Sequence, residues 1–102
     1  MTTNRNYKNG AVFENQVKRY FESKHYLAFR SAGSHGLADV IAISGRGRAI
    51  LIQCKKSGIF PTDEIKSLVS ASHFYNCTFL LAHHKTRGKI TFTNLAGGII
   101  QI

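Results

Sequence analysis

At 102 residues the chain is long enough for one compact domain and no more, and with 43% hydrophobic and 11% aromatic residues it can build a core, which excludes a disordered tail. No run reaches the ~20 apolar residues that cross a bilayer, the opening MTTNRNYKNG is too polar for a secretory signal, and Cys54 and Cys77 lie in apolar runs without metal or redox spacing, so a reduced, cytoplasmic setting is expected. Fourteen Lys and Arg against five Asp and Glu give a formal charge of +9, which suits a polyanionic partner, nucleic acid first among them.

In chain order, residues 1–8 read as a flexible basic arm carrying Arg5 and Lys8, and residues 9–102 as a single domain. From Asn9 to about Lys24, Phe13, Val17, Tyr20 and Phe21 recur at helical spacing, with Asn9 or Gly10 as cap. A short strand, Tyr26 to Ser31, precedes the turn-rich SAGSHG at 31–36. Two apolar runs, LADVIAI (37–43) and AILIQCK (49–55), flank SGRGR and predict a hairpin of central strands covered on both faces. Pro61-Thr62-Asp63-Glu64 predicts a helix start with Thr62 as cap, and the helix runs to about Tyr75. TFLLA (78–82) and KITFTNL (89–95) are strands, and the tail GGIIQI is a short edge strand or an interface. The pattern is α/β: a mixed five-stranded sheet flanked by helices.

The acids sort by position. Glu22, Asp63 and Glu64 sit where ordinary surface or helix-start acids sit, whereas Glu14 lies beside the apolar stripe of its helix and Asp39 interrupts an apolar strand. A DNA-binding face has reason to avoid carboxylates unless they hold a cation. On the next strand Gln53 and Lys55 share one face. Asp39 shares that face only if it opposes position 53 or 55, which requires an odd-numbered loop such as Gly45-Arg46-Gly47. A two-residue loop at Arg46-Gly47 would oppose Asp39 to Cys54 and break the constellation. These residues also allow a plain alternative, a structural Asp39–Lys55 ion pair with Gln53 as a satisfied neighbour.

Asp39 followed by Gln53-Cys54-Lys55 resembles the signature of the PD-(D/E)XK nuclease superfamily, and FRSAGSHGLADVIAI (29–43) resembles the archaeal-type Holliday junction resolvases. Glu14, Arg30, Ser34, Asp39 and Lys55 fall on that pattern, over roughly residues 8 to 75. Two positions depart from it: Ala38 stands where a proline is usual, and Gln53 where a Glu is usual. The resemblance implies a restriction-endonuclease-like fold and Mg²⁺-dependent phosphodiester hydrolysis, with Mn²⁺ able to substitute. The implied metal donors are Glu14, Asp39, the Gln53 side-chain oxygen and the Cys54 backbone carbonyl; Lys55 and Ser34 would act at the reacting phosphate.

Arg30 and Ser34 are the DNA contacts that the resemblance implies, with a structural ion pair to Glu14 as the alternative for Arg30; His35, inside the Gly-rich segment, and Arg5, Lys8 and Lys56, by their charge, are further DNA-contact candidates, with an ordinary solvated surface charge as the alternative for each of these cations. Arg46, Arg48, Lys85, Arg87 and Lys89 are further phosphate candidates. His83-His84 reads as a strand-end feature, since no zinc-ligand spacing accompanies it. The implied substrate is branched DNA, a four-way junction cut by paired symmetric nicks. Two nicks imply a homodimer, for which Phe60, Phe74, Tyr75 and the IIQI tail offer surplus apolar surface. The competing readings are another nuclease of the superfamily and a catalytically inactive DNA-binding protein that lost its charge at position 53.

Overall fold

A computed structural model describes the backbone of residues 5–31, 38–86 and 89–102 and the side chains of 10–31, 38–84 and 89–102. Ser34 and His35 lie outside it, as do the side chains of Arg5, Lys8 and Lys85 and the whole of Arg87.

Helix α1 (Arg5–Ser23) begins four residues before the expected start, so residues 5–8 of the expected arm are helical. Phe13, Val17 and Phe21, four apart, form one stripe of the helix and are fully buried. The helix ends in a Schellman arrangement: His25 takes a left-handed conformation (φ 69°), its N–H donates to the Glu22 carbonyl, and the Tyr26 N–H donates to the Phe21 carbonyl. The Tyr26 and Phe21 rings meet edge to face at 5.2 Å, the hydrophobic contact that accompanies this cap.

The strands are β1 (Leu27–Arg30), β2 (Val40–Ile43), β3 (Ala49–Cys54), β4 (Thr78–Thr86), β5 (Lys89–Thr93) and β6 (Ile99–Ile100). They lie side by side in sequence order, antiparallel except for the parallel β3–β4 pair. A parallel pair needs a crossover, and α2 (Thr62–Tyr75) provides it. Among the described residues the sheet thus has six strands rather than the expected five, because Ile99 and Ile100 pair with β5. Thr62 is the first helical residue of α2 rather than its cap; Pro61 holds the cap position and makes no side-chain hydrogen bond there.

The two sheet faces are covered unequally. On one, the α1 stripe packs with Ala28, Val40, Ala42, Ile52, Leu80 and Phe92 into the main core. On the other, Leu68 and Ala71 of α2 pack on Phe79, Leu81 and Leu51. The expected cover on both faces of β2 therefore fails on the α2 side. Leu27 and Phe29, paired with Ile43 and Ile41, stay 60% and 47% exposed because α2 lies over β4 instead.

Candidate active site

The hairpin between β2 and β3 sets the register on which the site depends. Ser44 and Arg48 close it: the Ser44 N–H donates to the Arg48 carbonyl at 2.9 Å, and the Ser44 hydroxyl oxygen accepts from the Arg48 N–H at 3.1 Å. Three residues remain in the loop, and Gly47 takes the left-handed conformation (φ 81°) that such a loop needs. Pairing then runs from Ile43↔Ala49 to Val40↔Ile52. The odd-numbered loop is thus present, and the ladder closes at Val40↔Ile52, one residue short of Asp39.

At Asp39 the ladder loosens in a way that fixes the side chain. Its N–H donates to the Ile52 carbonyl, so two successive residues of this strand, Asp39 and Val40, stand against one of β3, as in a bulge. The next β3 donor, the Cys54 N–H, donates instead to Asp39 Oδ2 at 2.9 Å. The carbonyl of Ala38 is taken by the Ser31 hydroxyl at 2.7 Å, and the Asp39 carbonyl by the Ser31 N–H at 2.9 Å. One carboxylate oxygen is thereby tied to the β3 backbone.

Glu14 approaches from α1, placed by its neighbour Phe13 in the core. Arg30, the β1 partner of Val40, donates to Glu14 Oε1 from Nε at 3.3 Å and from Nη2 at 3.1 Å. The alternative foreseen for Arg30, an ion pair with Glu14, is thus present in this structure. Burial pushes the Glu14 carboxyl above its usual range; the Asp39 charge adds to the rise and Arg30 opposes it. Asp39 is raised by burial too, opposed by the Cys54 N–H and the Lys55 charge and reinforced by Glu64. Burial, with the charges of Asp39 and Glu14 behind it, pushes the Cys54 thiol far up, so the sulfur stays protonated and inert.

Lys55 emerges beyond the end of β3, its N–H bonded to the Ala82 carbonyl. Its ammonium lies 3.2 Å from Glu64 Oε2. Glu64, set aside from sequence as a helix-start acid, thus belongs to the same cluster. The available signal was its place in the first turn of the helix that follows β3, since that turn stays near the strand end that carries Lys55. Gln53 is half-buried and Lys56 is exposed. His84 packs edge to face on the Phe13 ring at 4.6 Å, and burial, with Lys56 second, lowers its pKa. A concavity of about 620 Å³ lined by Arg48, Asn76 and Cys77 lies at the opposite end of β3, away from this chemistry.

Among the described residues no three His, Cys, Asp or Glu side chains form a ready-made metal cage. The donor set suits a hard cation in a different way. Asp39 and Glu14 each have one carboxylate oxygen engaged, by the Cys54 N–H and by Arg30, and the half-buried Gln53, next to Cys54 in the chain, offers an amide oxygen. Oxygen donors of this kind fit Mg²⁺.

No family model matches the chain. It is 33% identical over 92 residues to the crossover junction endodeoxyribonuclease Hjc of Methanocaldococcus jannaschii, an alignment that covers 86% of this chain and 67% of that protein. Among solved structures its fold matches that of Archaeoglobus fulgidus Hjc, a Holliday junction resolvase, with a TM-score of 0.69 and 22% identity over 86% of this chain and 74% of that one.

Proposed function

The chain belongs to the Hjc family of crossover junction endodeoxyribonucleases, and from that premise we propose that it resolves four-way DNA junctions by Mg²⁺-dependent hydrolysis, cutting as a homodimer. The family implies a divalent metal in general terms; Mg²⁺, with Mn²⁺ substituting, is the specific reading. The observation that carries it is Asp39, tethered to the β3 backbone through Cys54 N–H, with Glu14 and Arg30 on one side and Lys55 on the other.

Asp39, Glu14, the Gln53 amide oxygen and the Cys54 backbone carbonyl are the proposed holders of the cation. When bound, the ion supplies Lewis-acid stabilisation of the phosphate and a more acidic water. Lys55 orients the attacking water and balances the negative charge that grows on the phosphate. Arg30 keeps Glu14 oriented and partly neutralised while the site is metal-free. Ser34 and His35 are proposed to meet the DNA beside the scissile phosphate, and Arg5, Lys8 and Lys56 to hold the backbone on either side, giving affinity without base readout. One domain carries one such site, so two symmetric nicks need two copies. The exposed Phe74 and Tyr75 supply apolar surface for that contact.

The test is cleavage of matched four-way junction, flap, duplex and single-stranded DNA in Mg²⁺. The junction is expected to be cut with paired nicks far faster than the rest, and Asp39→Ala and Lys55→Ala to abolish cutting. Equal cleavage of all four substrates would sink the junction reading.

A further inference from the structure

We propose that Glu64, on the first turn of α2, carries the negative charge that position 53 lacks and so makes the site able to hold a divalent cation; the inference rests on the metal site proposed above. The charge count makes the case. Without Glu64 the cluster has two carboxylates, Glu14 and Asp39, against two cations, Arg30 and Lys55, and Gln53 adds none. Such a set is neutral and has no net electrostatic reason to retain a divalent ion. Glu64 makes it three against two.

Three observations place Glu64 in this set. Its Oε2 lies 3.2 Å from the Lys55 ammonium. Its charge reaches Asp39, where it opposes the effect of Lys55. The same Oε2 is enclosed by protein yet lacks a hydrogen bond of good geometry, although the side chain as a whole is 41% exposed. An oxygen turned inward on a half-exposed side chain, held by the charge of Lys55 alone, keeps its negative charge directed into the cluster. Glu64 is a positioning residue in this scheme: it acts through charge and through Lys55, not on the reacting atoms.

A Gln at 53 and an acid at 64 are then two halves of one arrangement. Position 53 projects from β3 and position 64 from the helix that returns over the sheet, and both are close to Lys55. One acid in this pair suffices, wherever it stands.

The experiment measures Mn²⁺ binding to the whole protein by isothermal titration calorimetry, with Mn²⁺ alone as the probe. Glu64→Gln is expected to weaken binding by about tenfold or more, in line with the loss of a group just outside the ligands. Glu64→Asp should stay within about threefold of the starting protein, and Gln53→Glu should restore Glu64→Gln to the same range. Glu64→Ala is made in parallel, so that a folding defect peculiar to one substitution does not decide the result. Unchanged Mn²⁺ affinity in Glu64→Gln, or no restoration by Gln53→Glu, overturns the proposal. Asp39→Ala separates the two levels: if it abolishes binding while Glu64→Gln does not, only the role of Glu64 falls. If it binds as tightly as the starting protein, the metal site itself falls and takes the role of Glu64 with it.

Discussion

Helix α1 and helix α2 each bring one carboxylate towards Asp39, but they stand on different foundations. The α1 stripe of Phe13, Val17 and Phe21 lies in the main core, and the helix is closed by a left-handed cap with its own ring contact. Glu14 therefore inherits its position from packing. Helix α2 buries only Leu68 and Ala71, and leaves Phe74 80% and Tyr75 56% exposed. Glu64 is held chiefly by its partner Lys55. The site thus has a fixed half, set by the core, and an adjustable half, set by charge. A charge-held side chain can be re-partnered when a cation or a phosphate arrives; a core-held one cannot.

The largest expected effect belongs to the residue that both halves share. Asp39→Ala removes the point where they meet and should lower junction cleavage by about a thousandfold or more, about 4 kcal/mol of transition-state stabilisation. Arg30→Ala touches only the fixed half, through Glu14, and should cost about ten- to a hundredfold. If Arg30→Ala proves as damaging as Asp39→Ala in a single-turnover assay, Arg30 meets the phosphate itself and is not an accessory of Glu14.

Stability should divide along the same line. Phe21→Ala empties a fully buried site in the main core and should cost about 3–4 kcal/mol, against about 2 kcal/mol for Leu68→Ala beneath α2. Urea melts with the slope held constant check this. Equal costs for the two would show that α2 is anchored as firmly as α1, and the fixed-and-adjustable distinction would go.

The fixed half was also the half that could be read from the sequence. Phe13, Val17 and Phe21 announce a helix by their spacing, and a Gly-Arg-Gly loop predicts the register that pairs β2 with β3 from Ile43↔Ala49 to Val40↔Ile52. Strand alternation and helix period are local rules, so they survive without tertiary information. The errors fall where the outcome depends on distant packing. The full cover of β2 fails because α2 settles on β4, and the tail reads equally as strand or interface because two residues cannot specify a partner. Glu64 is the helix-start acid expected, but its contact with Lys55 was not legible, for the same reason. An acid in the first turn of a helix is explained locally by the helix dipole, and only the crossover geometry brings it to Lys55. Arg30 had two readings from sequence, and its contact with Glu14 depends on how α1 crosses β1.

The exposed cations give a smaller test. Lys56 stands outside both halves, so Lys56→Ala should weaken binding to all DNA forms alike and reduce the salt-dependence slope by about 1, with little change in cleavage once the junction is saturated. A selective loss on the four-way junction would instead make Lys56 a reader of branch geometry. Fluorescence anisotropy at several salt concentrations separates the two.

The smallest effect concerns the cost of the carboxylate itself. Burial raises the Asp39 pKa in the folded state, so the folded protein holds that proton more tightly than the unfolded chain. Stability is then lost as pH rises from the ordinary carboxylate range, ~4, through the raised folded value. Asp39→Asn keeps an oxygen for the Cys54 N–H and removes the buried charge, so in EDTA it should melt about 2–4 °C higher than the starting protein at pH 7. The difference should shrink as pH falls and vanish below the carboxylate range, where both side chains are neutral. Mg²⁺ should reverse the order at pH 7, since it stabilises only the protein that binds it. A variant that melts lower than the starting protein in EDTA at pH 7 would mean that the bond to Cys54 outweighs burial, making Asp39 a structural tie before it is a ligand.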